Sequence, residues 1–268
     1  MTGIIILDKP QNFTSFDAVA VMRRLAGERK IGHTGTLDPM ATGVLPLLLG
    51  RATKALPFLT DTAKTYEAEF RFGIKTDTGD IWGQSIATAQ RRISREQLMA
   101  LLPSFCGEIL QTPPMYSAVS VNGQRLYQLA RQGLEIPREK RPVFIETLEL
   151  LGYDETAGVG RLRLCCSKGT YVRTLIEDLA EAAGTLGTMT ALRRTSACGF
   201  SLAAAHTLEE LRELQGNVAG IVQPVETLFQ ELPRVTVTLA QEARFLNGGG
   251  LSLPRLKLPE IALTEGLR

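Results

Sequence analysis

Three side chains in this 268-residue sequence sit where a carboxylate, a cation and an aromatic ring could share one reaction. Asp38 belongs to Gly32-His-Thr-Gly-Thr-Leu-Asp-Pro-Met-Ala-Thr-Gly43, a run with three glycines, a proline and neither helical nor strand period. Pro39 biases the Asp38 backbone toward extended geometry, so its carboxylate projects from a fixed turn. The alternative is an aspartate that merely caps its own turn. A long structured loop of this kind marks a functional site. His33, five residues earlier, is either a pocket group or a hydrogen-bonded structural one. Arg173 falls in the first turn of a helix, where the macrodipole disfavours a cation. A carboxylate such as Asp38 would offset that through a charge-assisted pair and would itself be kept ionised; a solvated arginine is the alternative. Tyr66 and Tyr171 are either core rings with satisfied hydroxyls or stacking surfaces for a base. Asp77 and Asp80 form a rival acid pair, which in Thr76-Asp-Thr-Gly-Asp80 is more simply a turn than a glycosidase pair.

The elements that must carry these residues are legible from period and punctuation. Gly3-Ile-Ile-Ile-Leu-Asp-Lys-Pro10 reads as a buried strand closed by a proline turn. Thr14 to Asp17 offers N-caps for a helix with Phe16, Val19 and Met22 on one face, ending near Gly27. Residues 32–43 read as the loop, and Val44–Leu49 as a buried strand before a short helical stretch from Arg51. In Tyr66–Phe72 the alternation puts Tyr66, Ala68, Phe70 and Phe72 on one strand face. Ser94 and Thr207 open capping boxes. Arg161–Ser167 is a strand, and Val172 to Ala183 an amphipathic helix stopped by Gly184. Thr190–Phe200 and Arg234–Leu239 read as strands, with a Gly248-Gly-Gly250 turn beyond. Strands and helices without regular βαβ alternation predict an α+β fold.

Composition narrows the chemistry. Lys+Arg 30 against Asp+Glu 28 leaves a net charge of +2, which would not single out a nucleic-acid binder. Its distribution is uneven: residues 1–200 carry +4 and residues 201–268 carry −2. Residues 124–141 alone carry +3 from Arg125, Arg131, Arg138, Lys140 and Arg141 against Glu135 and Glu139, with Tyr127 interleaved. That pattern is either an exposed loop or an RNA-contacting arm. Two histidines, and four cysteines with no CxxC, give no metal-ligand spacing, so no metal is expected. The cysteines read as unpaired and mostly buried, and no leader or membrane span is evident, so a reduced, cytoplasmic protein is expected. Phosphate-loop, dinucleotide and kinase signatures are absent.

Taken together, Leu7-Asp-Lys-Pro10 with Thr14-Ser15, Gly32–Leu45, Lys64-Thr-Tyr66, Thr76–Asp80, Pro114-Met-Tyr-Ser-Ala118 and Ser167-Lys-Gly-Thr-Tyr-Val-Arg173 resemble, in order, the TruB family of tRNA pseudouridine synthases. The resemblance spans about residues 3–230. It implies a mixed, mainly antiparallel sheet with flanking helices, spanning 1–232, with a thumb-like RNA-binding insertion at about 114–142. It implies isomerisation of the T-loop uridine numbered 55 in tRNA, with no cofactor, no membrane and no obligate protein partner. By this resemblance Asp38 is the catalytic aspartate, Arg173 its ion-pair partner and Tyr66 the ring against the uracil. His33, Tyr171 and Leu192 match substrate-holding positions, and Lys9 and Pro10 a supporting motif. The basic residues of 124–141 match the RNA-gripping insertion. A non-catalytic RNA-binding module and an RNA glycosidase on the same scaffold are the rival readings. Two departures stand out: Ser120 and Gln124 replace lysines common in relatives, and residues 233–268 are short for the customary RNA-binding PUA domain, so a truncated PUA-like segment is expected there.

Overall fold

The computed structural model describes residues 1–60, 62–251 and 256. The chain divides into two units, Met1–Leu228 and Phe229–Arg268. In the first, β1 (Gly3–Lys9) leads to α1 (Ser15–Ala26), β2 (Ile31–His33) and β3 (Thr42–Leu49). Next come β4 (Lys64–Phe72), a hairpin of β5 (Ile74–Thr76) and β6 (Ser85–Thr88), α2 (Arg95–Leu101) and β7 (Gly107–Gln111). A small excursion holds β8 (Ser120–Val121), β9 (Gln124–Arg125) and α3 (Leu126–Ala130). Then follow β10 (Arg141–Asp154), β11 (Val159–Cys166), α4 (Val172–Ala182), β12 (Gly187–Ala197), β13 (Phe200–Ser201) and α5 (Leu208–Glu213).

One nine-stranded sheet organises the unit in the order β1-β3-β12-β4-β11-β10-β7, with β2 paired to β3 and β13 to β12. Its ladders are antiparallel except where β3 meets β12, the parallel seam that joins the first fifty residues to the rest. This is the mixed, mainly antiparallel α+β sheet expected from the sequence. At the seam Gly43, at φ +105°, lies against the Arg194 backbone so closely that any Cβ would collide with the Arg194 carbonyl oxygen. Glycine is required there on both counts.

Hydrophobic alternation sets the register of β4: Tyr66, Ala68, Phe70 and Phe72 are buried, whereas Glu69 and Arg71 are exposed. Phe70 and Phe72 pack with ring centroids 4.7 Å apart. Each such ring contributes roughly 1.5–3 kcal/mol by burial. They join a core to which α1, α2, α4 and α5 also contribute, through Met22, Leu98, Ile176 and Leu211 among others. Thr14 and Asp17 cap α1 reciprocally, and Gly27, at φ 60°, ends it in left-handed geometry.

Several sequence expectations are corrected. The buried stripe of α1 is Ser15, Ala18, Val19 and Met22, while Phe16 is 66 % exposed with Arg23 over its ring at 5.7 Å. The loop expected at 32–43 is shorter, because residues 31–33 and 42–43 pair as strands. Cys106 is exposed and Cys165 half-buried, leaving only Cys166 and Cys198 buried. In the second unit Arg234–Leu239 is not a strand. Thr238 instead opens a helix, α6 (Leu239–Leu246), and its hydroxyl accepts from the Gln241 amide. The overlooked signal was that Thr-x-x-Gln capping box, outweighed by the β-branched residues before it. The described residues of 233–268 hold this one helix and no strand; the remainder of the expected PUA-like segment lies outside the described residues.

Candidate active site

Asp38 owes its position to a loop with almost no slack. Leu37, Met40 and Ala41 are buried, the Leu37 N–H donates to Ser15 Oγ at 2.8 Å, and the Asn12 N–H donates to the Pro39 carbonyl at 2.9 Å. Ala41 N–H closes the turn onto the Asp38 carbonyl at 3.0 Å. Ser15 is at once the first residue of α1 and the loop's anchor, which ties the helix start to the carboxylate.

Arg173 meets Asp38, the first of the two readings its place in the helix allowed. Its Nη2 stands 3.0 Å from Asp38 Oδ2, and its Nη1 is 3.9 Å from Asp80 Oδ2. The same guanidinium donates to the Thr78 carbonyl at 2.8 Å and the Tyr116 carbonyl at 2.9 Å. Only 4 % of Arg173 is exposed, so its geometry is fixed from four directions. The helix start is fixed too: Gln111, at the end of β7, accepts from the Tyr171 N–H at 3.0 Å and donates to the Tyr171 carbonyl at 3.3 Å. Asp38 is open over 35 % of its side chain, but toward a cleft rather than bulk water, and burial raises its pKa above the usual carboxylate range while Arg173 opposes the rise.

That cleft, of about 210 Å³, brings together Asp38, Tyr66, Tyr171, Arg173 and Leu192 from four separate stretches of chain, along with Lys64, Ser117 and Thr170. Tyr66 and Leu192 form buried apolar walls, 7 % and 8 % exposed. Ser117 Oγ and Thr170 Oγ1, on residues that line the cleft, are enclosed without a hydrogen-bond partner among the described residues. Burial pushes the Tyr66 phenol above its ordinary pKa. His33 stands off the cleft wall at the end of β2, half-buried, with Nδ1 unpartnered and with burial and the nearby Arg194 holding it below the usual imidazole range. Lys9 is fully buried. Its Nζ donates to the Pro10 and Phe13 carbonyls at 2.8 and 2.6 Å, bracing the chain that enters α1, and burial lowers its pKa to about 8 against the pull of Asp38.

The insertion lies between β7 and β10, which pair directly at Gln111 and Arg141. Its hairpin turns at Asn122-Gly123, both at positive φ, as a two-residue turn demands. Leu126 and Leu129 hold α3 down. Arg125, Arg131, Lys140 and Arg141 are exposed, with Arg131 over the Tyr127 ring at 5.5 Å. Arg138 is instead engaged internally, by Glu135 at 2.8 Å and the Pro113 carbonyl at 3.3 Å.

Sequence reasoning missed Gln111, Ser117, Lys64 and Arg194 as site residues and treated Asp80 as a turn former. Asp80 does make a turn, accepting from Thr78 Oγ1 at 2.9 Å and the Trp82 N–H at 3.1 Å, and its carboxylate also faces Arg173. No helix among the described residues is long and apolar enough to cross a membrane.

Comparison with known proteins agrees with this geometry. Residues 23–172 match the N-terminal domain of the TruB family pseudouridylate synthases, and residues 173–230 a tRNA pseudouridylate synthase B C-terminal domain. The chain is 47% identical over 253 residues to a tRNA pseudouridine synthase B of Aromatoleum aromaticum, covering 94% of this chain and 82% of that relative. It is 46% identical over 263 residues to the protein of the same name from Geobacillus thermodenitrificans, covering 95% and 87%. In structure it resembles a chain of a Cbf5-Nop10-Gar1 complex with a TM-score of 0.74 and 27% identity, over 95% of this chain and 69% of that one. With a carboxylate and an arginine converging on a cleft walled by Tyr66 and Leu192, and with these matches along nearly its whole length, the chain belongs to the TruB family of pseudouridylate synthases.

Proposed function

We propose that this chain isomerises uridine to pseudouridine in tRNA, that its target is the T-loop uridine numbered 55, and that Asp38 is its catalytic group. The observation that carries the reading is the Asp38 carboxylate, held 3.0 Å from Arg173 at the mouth of a cleft with apolar walls. The reaction breaks N1–C1′, turns the uracil over and joins C5 to C1′. It is redox-neutral and conserves every atom, so a carboxylate and a shaped pocket suffice in kind. Asp38 acts either as nucleophile at the sugar or as the base that removes a ribose proton, and both roles need it ionised. The Arg173 fork maintains that state.

A target base inside a folded loop must be flipped out, at a cost of a few kcal/mol, and seated by stacking and edge contacts. Tyr66 and Leu192 supply the walls, Tyr171 stands at the rim, and the Ser117 and Thr170 hydroxyls are placed for the uracil edge. The exposed cations of the insertion suit the phosphates of the T-arm, and the shape of the folded RNA supplies the remaining recognition. A tRNA substrate supports a cytoplasmic location.

T-arm RNA tritiated at uridine C5 tests the reading. Isomerisation releases tritium and leaves the strand intact. An abasic product would make the protein a glycosidase, and binding without either change would make it a non-catalytic module.

A further inference from the structure

Arg194 takes part in none of the steps above, yet it heads the fully buried side chains by size, with 0 % of its surface exposed. Its Nε donates to the Val44 carbonyl at 2.7 Å and its Nη2 to the Gly35 carbonyl at 3.2 Å. Both acceptors are neutral. Among the described residues no carboxylate lies within ion-pair distance of it, and its Nη1 has no hydrogen-bond partner. A second cation adjoins it: a Cβ on Gly35 would stand 3.7 Å from Arg194 Nη1 and 3.4 Å from Lys64 Nζ. Cations enclosed without an anion are costly, because lost hydration is not replaced by an opposite charge. Such an arrangement calls for an anion that forms during the reaction.

Register identifies the group that can supply it. Arg194 and Tyr66 are direct partners across the antiparallel β12·β4 ladder, so their side chains share one face. The charged and titratable groups facing the Tyr66 phenol are Arg194 from β12, Cys166 from β11 and Asp38 from its loop. The Cys166 thiol is pushed up by burial to about 11 and is neutral at ordinary pH, while the Asp38 carboxylate opposes a second anion. Arg194, whose Nη1 is unpartnered, is the neighbour among these that favours a phenolate, its charge working against the rise that burial causes.

We propose that Arg194 is a positioning residue for the final proton transfer, its enclosed guanidinium holding the Tyr66 hydroxyl and stabilising the phenolate that removes the proton from C5. The inference rests on the isomerisation reading above. Once C5 has joined C1′, the ring carries hydrogen and ribose on the same carbon. The C5–H bond breaks, its electron pair forms the C5=C6 bond, and the C6=N1 π electrons move onto N1, which takes a proton from solvent. The Tyr66 hydroxyl first gives its proton to solvent, the phenolate so formed takes the C5 proton and returns to the phenol, and the single proton released is matched by the one N1 takes up, so charge and atoms balance. Tyr66 therefore touches the reacting atoms, and Arg194 acts through Tyr66.

The test pairs Arg194→Gln with uridine deuterated at C5 in T-arm RNA and with a difluorotyrosine, more acidic than tyrosine, installed at position 66. Arg194→Gln is expected to slow turnover about a hundredfold, to expose a C5 isotope effect larger than the parent's and to leave RNA binding unchanged. Difluorotyrosine is expected to restore at least about a tenth of that loss in the variant. A strut that merely packs the sheet would show neither the isotope effect nor the rescue, and that result overturns the proposal. Should Arg194→Gln fail to fold, the parent carrying difluorotyrosine decides: the isotope-sensitive limb of its pH profile moves to lower pH, and an unmoved limb overturns the proposal. A parent enzyme that releases no C5 proton at all would defeat the isomerisation reading as well, whereas release with an unmoved limb defeats this inference alone.

Discussion

Arg173, which lines the cleft, and Arg194, buried beside Tyr66, are enclosed and hydrogen-bonded to backbone carbonyls, whereas in the insertion Arg125, Arg131, Lys140 and Arg141 stand in solvent. The same residue types therefore do different work. In the cleft a guanidinium is desolvated, so its field on a neighbouring carboxylate or phenol is strong and local. In the insertion each cation is screened within about 8–10 Å by salt, so it contributes to holding a polyanion without selecting any one atom. The two regions meet where Ser117 enters the cleft and where Arg173 Nη2 donates to the Tyr116 carbonyl at 2.9 Å, which ties the root of the insertion to the partner of the proposed catalytic carboxylate.

This contrast can be broken from either side. Asp38→Asn removes the proposed reacting charge at almost constant shape, and turnover is expected to fall by at least about 10⁴-fold with T-arm binding intact. Measurable turnover by that variant would sink the assignment. Arg173→Lys keeps the charge but cannot reach Asp38, Thr78 and Tyr116 together, so kcat should fall by about 10²-fold while RNA affinity barely moves; equal losses in both would place Arg173 among the binding residues. Activity should follow Asp38 ionisation. Because burial raises that pKa, the acid limb of kcat lies above the unperturbed value of about 3.9, and turnover is full above it and lost as pH falls through it. A limb at or below the unperturbed value would show that Arg173 outweighs burial. In the insertion, Arg131→Gln should weaken binding several-fold, lower the salt dependence by about one phosphate contact and leave kcat unchanged. The smallest effect is expected of Ser120→Lys, a gain of at most one such contact, read as a steeper salt slope of affinity.

Legibility from sequence followed how locally each feature is encoded. The N-cap among Thr14–Asp17, the capping boxes at Ser94 and Thr207, and the alternation in β4 depend on residues within one or two turns, and the structure has each of them. The Arg173–Asp38 pair was legible in part: a cation in a first helical turn suggests a carboxylate partner or solvent, and the resemblance to the TruB family pointed to Asp38. Gln111 and Arg194 could not be. Gln111 acts on a backbone sixty residues away, and Arg194 lies in a strand whose alternation only the sheet pairing resolves into faces. Arg234–Leu239 failed for the opposite reason: a strand-like local composition prevailed over a cap one residue beyond its centre of gravity.

The parallel seam between β3 and β12 also bears on how the protein is made. Its partners, Thr42 with Arg193 and Gly43 with Arg194, are about 150 positions apart, and contacts of such separation form late because a long loop must close first. Across that seam the β12 strand that carries Leu192 is joined to the stretch that follows the Asp38 loop. A nascent chain emerging from the ribosome would thus carry the Asp38 loop and the cationic insertion long before it carries a finished pocket, and catalytic competence arrives in one step, when the seam closes.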